Sequence, residues 1–253
     1  MKPYYEDNQT SLYNGDSLKI LKNIDEESVD LIFSDPPYFL SSDGITCKNG
    51  KMVSVNKADW DKIDTYKEIE IFNSLWLKEC QRILKPNGTI WVSGTHHNIF
   101  SVGSQMKQLK YKILNIVTWN KPNPPPNLSC RYFTHSTEQI IWAGKNVKTK
   151  HTYNYDLMKK INDNKQMKDV WLFTSPAKNE KRYGKHPTQK PEKLLERIIL
   201  SSSKEDDLIL DPFNGSGTTG VIAKRHNRKY IGLDLKKIYL DNTIKRLKDE
   251  INL

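Results

Sequence analysis

Six short segments rich in β-branched and aromatic residues alternate with helical patterns along the chain. Each segment ends in turn residues and is predicted to be a strand; the six read SVDLIFSD, GTIWVSG, KILNIVTWN, EQIIWAG, DLILDPF and RKYIGLDL. Helices are predicted at residues 66–84, where apolar residues recur every three or four positions, at residues 191–203 and at residues 218–227. Strands that alternate with helices predict an α/β fold with a doubly wound, mostly parallel sheet.

Three stretches interrupt this alternation. Residues 40–62 are polar and loop-like, residues 120–136 are proline-rich and then basic, and residues 145–184 are polar and irregular. Long loops inside a compact domain are uncommon unless they are functional or disordered. We therefore expect these three stretches to be mobile or to bind substrate.

The charge of the chain is concentrated in its middle. The net charge is +10, and residues 81–190 hold 19 Lys and Arg against 5 Asp and Glu. A solvated, lysine-rich surface would give the same excess. A surface that binds a polyanion is the alternative, and aromatic residues among the charges favour nucleic acid over a membrane surface.

The rest of the composition excludes several classes of protein. The chain of 253 residues suits one large α/β domain, or one domain with a substantial insertion. No secretory signal and no apolar run of about 18 residues is present, so we expect no membrane span. The three cysteines are far apart and predict neither a disulfide framework nor a zinc site, and the scattered histidines predict no metal site, which fits a reducing cytoplasm.

The first strand-like segment ends in Asp35-Pro36-Pro37-Tyr38. Prolines end a strand because they lack the N–H group that a sheet requires. Asp35 is therefore predicted at the carboxyl edge of the sheet, before a rigid turn. On its own, this pattern would also fit a turn that carries an incidental acid.

A second strand-like segment is followed by a glycine-rich loop. The strand ends at Asp211, Gly215 and Gly217 precede a helix, and the next strand ends at Asp234. Glycines let the backbone approach a ligand closely, and an acid at this spacing can reach ribose hydroxyls. The loop lacks both the dinucleotide pattern and a P-loop lysine, so a nucleoside without pyrophosphate fits it best. An ordinary tight turn remains the alternative.

Just before the helix at residues 191–203 stands His186-Pro187-Thr188-Gln189-Lys190. The free N–H groups at a helix start favour a carboxylate, and Lys190 could add a positive charge. An ordinary capped helix explains the same residues equally well.

Taken together, these motifs resemble those of DNA amino-methyltransferases. Residues 35–38 resemble the family's catalytic DPPY motif, and residues 211–219 resemble its FxGxG loop. DPPY precedes FxGxG with a basic stretch between them, an order similar to that of the β group. The segments DPPYFLS, VSVNKADWDK and PNLSCRYFTHSTE most resemble the second adenine methylases of DpnII-type restriction systems.

The resemblance implies a seven-stranded, Rossmann-like sheet that binds S-adenosylmethionine. It implies a single domain with a catalytic half at residues 1–119, a basic target-recognition insertion at 120–185 and a cofactor half at 186–253. The residues implied to bind the cofactor are Asp16, Ser17, Asp35, Thr188, Gln189, Lys190, Asp211, Phe213, Asn214, Gly215, Ser216, Gly217, Thr218 and Asp234.

The implied reaction is methylation of the N6 amine of a flipped adenine in DNA. The Asp35 carboxylate and the Pro36 carbonyl would accept the two N–H bonds of the amine, Pro37 would stiffen the turn, and Tyr38 would stack on the base. No metal is implied. The N4 amine of cytosine is an alternative substrate, although serine usually replaces the aspartate in that class, and a non-catalytic nucleic-acid-binding protein is a second alternative.

The resemblance also suggests partners for the chain. The candidates for contact with DNA are Lys121, Asn127, Arg131 and Tyr132. We expect residues 40–62 to close on bound DNA. The resemblance favours GATC as the target, leaves single-stranded DNA open as a second substrate, and is compatible with a homodimer and with a cognate restriction endonuclease.

Overall fold

A computed structural model of the chain describes residues 1–38, 45–48, 51–54, 66–184 and 186–250. The helices are α1 (Ser17–Leu21), α2 (Tyr66–Ile83), α3 (Ile99–Gln108), α4 (Tyr155–Ile161), α5 (Glu192–Ser202), α6 (Thr218–Arg225) and α7 (Lys237–Asp249). The strands are β1 (Tyr5–Glu6), β2 (Thr10–Asn14), β3 (Val29–Ser34), β4 (Ile45–Lys48), β5 (Lys51–Ser54), β6 (Leu84–Gly94), β7 (Lys112–Asn120), β8 (Thr137–Gly144), β9 (Val170–Leu172), β10 (Leu208–Asp211) and β11 (Lys229–Asp234).

A mixed sheet forms the centre of the molecule, in the order β1-β2-β11-β10-β3-β6-β8-β7-β9. The pairs from β2 to β6 are parallel, whereas β8 runs antiparallel to both β6 and β7. The α/β class and the doubly wound sheet are confirmed. The expected strand count is wrong, because this sheet has nine strands: the short β1 and β9 extend its two edges.

Helices cover both faces of the sheet. On one face, α1, α2 and α3 bury apolar side chains such as Leu21, Trp76 and Val102. On the other face, α5, α6 and α7 bury Leu195, Ile222 and their neighbours. Strands such as β3, which are buried along their whole length, are typical of a parallel sheet covered on both sides.

The long loops contain more regular structure than predicted. Strands β4 and β5, inside the stretch 40–62, pair in an antiparallel hairpin, and α4 and β9 lie within residues 145–184. The described residues 121–136 contain no helix or strand. The other residues between 39 and 65 lie outside the described residues, so the expected closure of this stretch stays a prediction.

The Lys85-Pro86-Asn87-Gly88 sequence, just after α2, is typical of a helix stop followed by a turn. It is instead part of β6, where the register jumps so that Leu84 pairs with Val29 but Thr89 pairs with Leu31. The extra residues form an irregularity within the strand, which is how a turn-like sequence fits inside a sheet. Within the part of the chain that the structure describes, no helix is both long enough and apolar enough to cross a membrane.

Candidate active site

Two Asp-Pro turns lie side by side at the carboxyl edge of the sheet. Strand β3 leads into Asp35-Pro36, and its neighbour β10 ends at Asp211, which precedes Pro212. The two strands are parallel and hydrogen-bonded, with Leu210 opposite Ile32. Parallel strands place their carboxyl ends at one edge, so sequences about 175 positions apart meet in one site.

A cleft of about 330 Å³ opens at this edge. All four residues of the 35–38 turn line it. Of the predicted cofactor residues, those lining the cleft are Asp16, Ser17, Asp35, Thr188, Gln189, Lys190, Asp211, Phe213, Asn214, Gly215, Ser216, Thr218 and Asp234. The structure therefore brings the two predicted groups of residues together, while their individual roles stay predictions.

Donors occupy both oxygens of the Asp35 carboxylate. The Tyr38 hydroxyl donates to Oδ1 at 2.6 Å, and Lys190 Nζ donates to Oδ2 at 2.6 Å. Lys190 also donates to the Tyr38 oxygen at 3.0 Å. An ionised carboxylate has about four acceptor positions, so Asp35 can still accept a further hydrogen bond from a substrate in the cleft.

A second carboxylate, Glu138 at the start of β8, completes this cluster. Glu138 Oε2 lies 3.6 Å from Lys190 Nζ and 3.4 Å from the Tyr38 oxygen, and its other oxygen pairs with Lys121. Ser93 Oγ, from β6, lies 3.4 Å from the Tyr38 oxygen. Neither Glu138 nor Ser93 is predicted from the sequence to belong to the site, because only the pairing of β6 with β8 brings them to this edge.

Burial and charge act against each other within the cluster. Burial raises the pKa of Asp35, while the Lys190 ammonium opposes that shift. Burial alone would lower the pKa of Lys190, but the Asp35 and Glu138 carboxylates raise it above its usual value. Burial would likewise raise the pKa of Glu138, but Lys190 and Lys121 lower it. The direction that follows for the cluster is a charged Lys190 shared by two carboxylates.

Tyr38 lies deeper in the site than a stacking role requires. Its side chain is only 6% exposed, and its hydroxyl is held by Asp35 and Lys190. In this conformation, Tyr38 supports the Asp35 carboxylate, and its ring forms part of the cleft wall.

The Asp211 turn is closed by its own loop. Asp211 Oδ1 accepts from the Phe213 N–H at 3.0 Å, and Oδ2 accepts from the Thr219 hydroxyl at 2.6 Å. Burial is the main reason why the pKa of Asp211 is raised to about 7. Phe213 is fixed in turn by Trp76, whose ring centroid lies 5.6 Å away.

The glycines of the loop serve different purposes. Gly215 lines the cleft with φ +50°, and a side chain there would meet the His186 ring at 3.2 Å. Gly217, predicted to bind the cofactor, lies outside the cleft lining. Its φ is +72°, and an added Cβ would lie 2.4 Å from Thr243, so Gly217 allows α6 to begin close to α7.

The remaining cofactor candidates are tied to the backbone around the cleft. Asp16 caps α1 by accepting from the Leu18 N–H at 2.9 Å, and the Ser17 hydroxyl donates to the Pro212 carbonyl at 2.5 Å. Asp234 accepts from the Gly215 N–H at 2.8 Å, and burial is the main reason why its pKa rises to about 6. These bonds fix the cleft walls before any ligand arrives.

The sequence profile of the DNA methylase family matches residues 29–246, most of the chain and the whole of this cleft except its Asp16 and Ser17 edge. The chain belongs to the DNA methylase family. It is 60% identical to the type II methyltransferase M2.LlaDCHI of Lactococcus lactis subsp. cremoris, an alignment that covers 97% of this chain and 92% of the relative. It is 59% identical to the type II methyltransferase M2.DpnII of Streptococcus pneumoniae, over 98% and 93% of the two chains.

Solved structures of DNA methylases share the fold. PvuII DNA methyltransferase, described as cytosine-N4-specific, superposes with a TM-score of 0.78 at 22% identity, over 99% of this chain and 94% of that one. A complex of M1.HpyAVI with SAM superposes with a TM-score of 0.66 at 26% identity, over 94% and 99% of the two chains.

The four residues predicted to contact DNA differ in their exposure and in their contacts within the protein. Arg131 and Tyr132 are exposed, and the Tyr132 side chain is 59% exposed. Lys121 is engaged by Glu138 and by the Trp119 ring. The Asn127 amide shapes its own loop, because it accepts from the Ser129 N–H at 3.0 Å and donates to the Tyr132 carbonyl at 2.5 Å. Arg131 and Tyr132 are therefore the better placed of the four to meet a ligand.

Several residues that line the cleft were not among the predicted catalytic or cofactor-binding residues. Phe72 of α2 lies 6.0 Å from the Phe213 ring, and the rings of His186 and Tyr239 lie 4.5 Å apart. Thr219 directly follows the predicted Thr218. Of these contacts, its hydroxyl bond to Asp211 is the one that the sequence of the loop suggests. The others depend on how helices pack, for which the sequence carries no local signal.

Proposed function

We propose that the protein is a site-specific DNA adenine N6-methyltransferase. The observation that carries this proposal is the Asp35 carboxylate, which lies in the cleft with both oxygens oriented by Tyr38 and Lys190. Serine usually occupies this position in the class that methylates cytosine. Its hydroxyl would offer one acceptor oxygen, weaker than the two oxygens of a carboxylate. The carboxylate favours the amine of adenine.

The methyl donor is S-adenosylmethionine, whose sulfonium supplies an electrophilic methyl group when the cofactor is bound. The residues of the cleft fit this cofactor. Gln189 Oε1 is buried with no hydrogen-bond partner within the described residues, so it is available to a polar ligand in the cleft. The Asp234 and Asp16 carboxylates suit hydroxyl and amino donors, and the Phe213 ring offers an apolar face.

The residues of the 35–38 turn prepare the amine for attack. The lone pair of the adenine N6 is delocalised into its ring, and acceptors placed at the two N–H bonds favour a pyramidal, nucleophilic nitrogen. Asp35 supplies one acceptor, and the Pro36 carbonyl supplies the other. The paired prolines stiffen the turn, so both acceptors are oriented before the substrate arrives.

The charges around Asp35 keep it ready to accept. Lys190 favours the ionised form of Asp35, and Glu138 favours the charged form of Lys190. The amine nitrogen forms a bond to the methyl carbon while the bond from carbon to sulfur breaks, and the amine then loses one proton to solvent. Contact between the two partners supplies much of the rate.

The proposal extends to the substrate and its biological setting. Curated relatives that are 54–60% identical are named type II methyltransferases. We propose that this chain also belongs to a restriction-modification system, that it acts at GATC, and that it accepts single-stranded as well as double-stranded DNA. We further propose that residues 120–185 are the target-recognition segment, between a catalytic half (1–119) and a cofactor half (186–253).

Transfer of a labelled methyl group from S-adenosylmethionine to DNA, followed by mass spectrometry of the nucleosides, tests the reaction. We expect N6-methyldeoxyadenosine from DNA that contains GATC and none from DNA in which GATC is scrambled. N4-methyldeoxycytidine as the product would overturn the adenine assignment. DNA binding with no transfer to any base would identify a non-catalytic binding protein.

A separate variant tests the recognition segment. Arg131→Ala should weaken DNA binding and relax the site preference, because arginine reads guanine edges and phosphates. If Arg131→Ala keeps both the affinity and the preference of the parent protein, the assignment of Arg131 is wrong.

A further inference from the structure

Four rings form a continuous stack on the surface beside the cleft. The ring of His96 lies 3.9 Å from that of His97 and 4.8 Å from that of His135, and Tyr132 lies 5.3 Å from His135. His96 and His135 are close to parallel, with 21° between their planes, and the other two pairs are inclined by 37° and 40°. We call these four residues the ring stack.

The ring stack is built from two segments that meet at the catalytic edge of the sheet. His96 and His97 follow the end of β6, and Tyr132 and His135 precede β8. Ser93, three residues before His96, faces the Tyr38 hydroxyl at 3.4 Å, and Glu138, three residues after His135, faces it at the same distance. Both segments of the ring stack therefore leave the sheet close to Tyr38, which holds Asp35.

The stack is open to solvent. All four residues are exposed. Burial is the main reason why the pKa of His96 lies below its usual value, and His135 lowers it further, which favours a neutral His96 imidazole. Metal ligation would need nitrogen atoms that converge, and the described residues contain no group of three or more His, Cys, Asp or Glu able to hold a metal.

The ring stack belongs to the most basic part of the sequence, which suits a nucleic acid strand. All four rings lie within residues 81–190, which hold 19 Lys and Arg against 5 Asp and Glu. An exposed aromatic stack in a positive environment is the combination that binds single-stranded nucleic acid, because the charges attract the backbone and every base has a face that can stack. Histidine is among the side chains on which unpaired bases stack.

We propose that the ring stack is a stacking platform for unpaired nucleobases of the DNA strand that carries the target adenine. This inference rests on the proposed function, since it places the platform beside the methylated base. It assigns base stacking to Tyr132 at the end of the stack, with the three histidine rings packed behind it, and it leaves Tyr38 to support Asp35. Bases next to the target, unstacked when the adenine leaves the helix, would recover stacking energy on the ring faces.

Short single-stranded oligonucleotides with 2-aminopurine at each position around the target adenine provide the test. On binding the parent protein, the base that stacks should show quenched fluorescence at a position next to the target. His96→Ala and Tyr132→Ala should remove that quenching and weaken binding about tenfold, the scale of losing one stacked base. His96→Phe and Tyr132→Phe, which keep a ring, should restore both to within about twofold of the parent.

Salt and control variants separate stacking from simple charge. The loss in Tyr132→Ala should be the same at low and high salt, whereas loss of a phosphate contact would reduce the salt dependence. Phe100→Ala, at an exposed aromatic residue of α3 outside the stack, should leave quenching and affinity unchanged. Calorimetric titration with S-adenosylmethionine shows that each variant retains its folded cleft, and Tyr132→Ala lies in an exposed loop where folding is least at risk.

The outcomes are distinct from those of the proposed function. The platform is wrong if both Ala variants bind S-adenosylmethionine and keep the parent's quenching and DNA affinity, or if Phe fails to rescue them. Because binding and quenching need no turnover, these results are readable even if the parent protein transfers no methyl group, the outcome that overturns the proposed function instead.

Discussion

The two Asp-Pro turns begin alike and differ in what surrounds them. Each follows a buried parallel strand, and the two strands are neighbours. Asp211 is bound by donors from residues 213 and 219 of its own loop. Asp35 is bound by Tyr38 and by Lys190, which lies 155 positions away in the sequence. The donors to the Asp211 carboxylate are therefore close to it in the sequence, whereas one donor to the Asp35 carboxylate comes from a distant element.

This difference predicts a structural role for the Asp211 carboxylate and agrees with the catalytic role proposed for the Asp35 carboxylate. Asp211 is buried and accepts from neutral donors, with no cation bonded to it among the described residues, and its pKa rises to about 7. Asp35 has a cation beside it and keeps free acceptor positions toward the cleft. We expect damage to the Asp211 turn to appear first in stability and damage to the Asp35 turn to appear first in activity.

Asp35→Asn should show the largest difference between the two turns. The amide keeps the size of the side chain but loses the charge and one acceptor, so we expect methyl transfer to fall by about a hundredfold or more. Single-turnover transfer from labelled S-adenosylmethionine measures the effect, and urea unfolding checks stability. If Asp35→Asn retained most of the activity, Asp35 would be no more functional than Asp211.

Gly217→Ala tests the opposite expectation. The alanine would have to adopt φ +72° with its Cβ 2.4 Å from Thr243, so we expect the free energy of unfolding to fall by about 2 kcal/mol or more. The matched control is Gly103→Ala in α3, where the nearest atom would be Ile141 Cδ1 at 3.4 Å and where alanine favours the helix. Equal stability of the two variants would contradict the strain assigned to the Asp211 loop.

The pH dependence of stability distinguishes the two carboxylates further. The pKa of Asp211 rises from 3.8 to about 7 on folding, so the folded protein binds this proton more tightly than the unfolded chain. Raising the pH from about 4 to about 7 should therefore lower stability, by up to about 1.4 kcal/mol per unit from this group. Urea titrations across this range should show a shallower decline for Asp211→Asn. Parallel curves for the two proteins would contradict the raised pKa.

Glu138→Gln should have the smallest of these effects, and it tests whether the Asp35 cluster extends to β8. Glu138 raises the pKa of Lys190, so its loss should move the alkaline limb of the kcat profile to lower pH. We expect kcat to fall about tenfold, less than for a group that contacts substrate. Glu79→Gln, which removes a partly buried partner of Arg82 outside the cleft lining, is the control and should change neither. An unshifted pH profile for Glu138→Gln would limit the cluster to Asp35, Tyr38 and Lys190.

The sequence predicted the central elements of the fold because its signals are local. Alternating strands and helices, the Pro191 helix start and the glycine-rich loop identified six strands and three helices, namely β3, β6, β7, β8, β10, β11, α2, α5 and α6. The short strands β1 and β9 were missed because two or three residues give no periodicity. Helix α4 was missed because its polar face made the surrounding stretch look irregular.

The site was predictable to the extent that its residues follow strand ends. Three aspartates follow or end parallel strands, namely Asp35, Asp211 and Asp234. Because parallel strands have their carboxyl ends at one edge of the sheet, the sequence predicts that these residues lie close together. Glu138 and the ring stack are different, because their positions depend on antiparallel pairing between β6 and β8 and on the path of an irregular loop. No pattern within a single segment carries that information.

The strand order also has a consequence for synthesis. Strand β3 lies between β10 and β6, and β2 lies beside β11. During synthesis, β3, which leads into the DPPY motif, therefore cannot pair with β10 until more than 170 further residues have been made. Contacts of such long range slow folding. The cleft can close only after β10 and β11 have been made, so a shorter nascent chain has no assembled site with which to modify DNA.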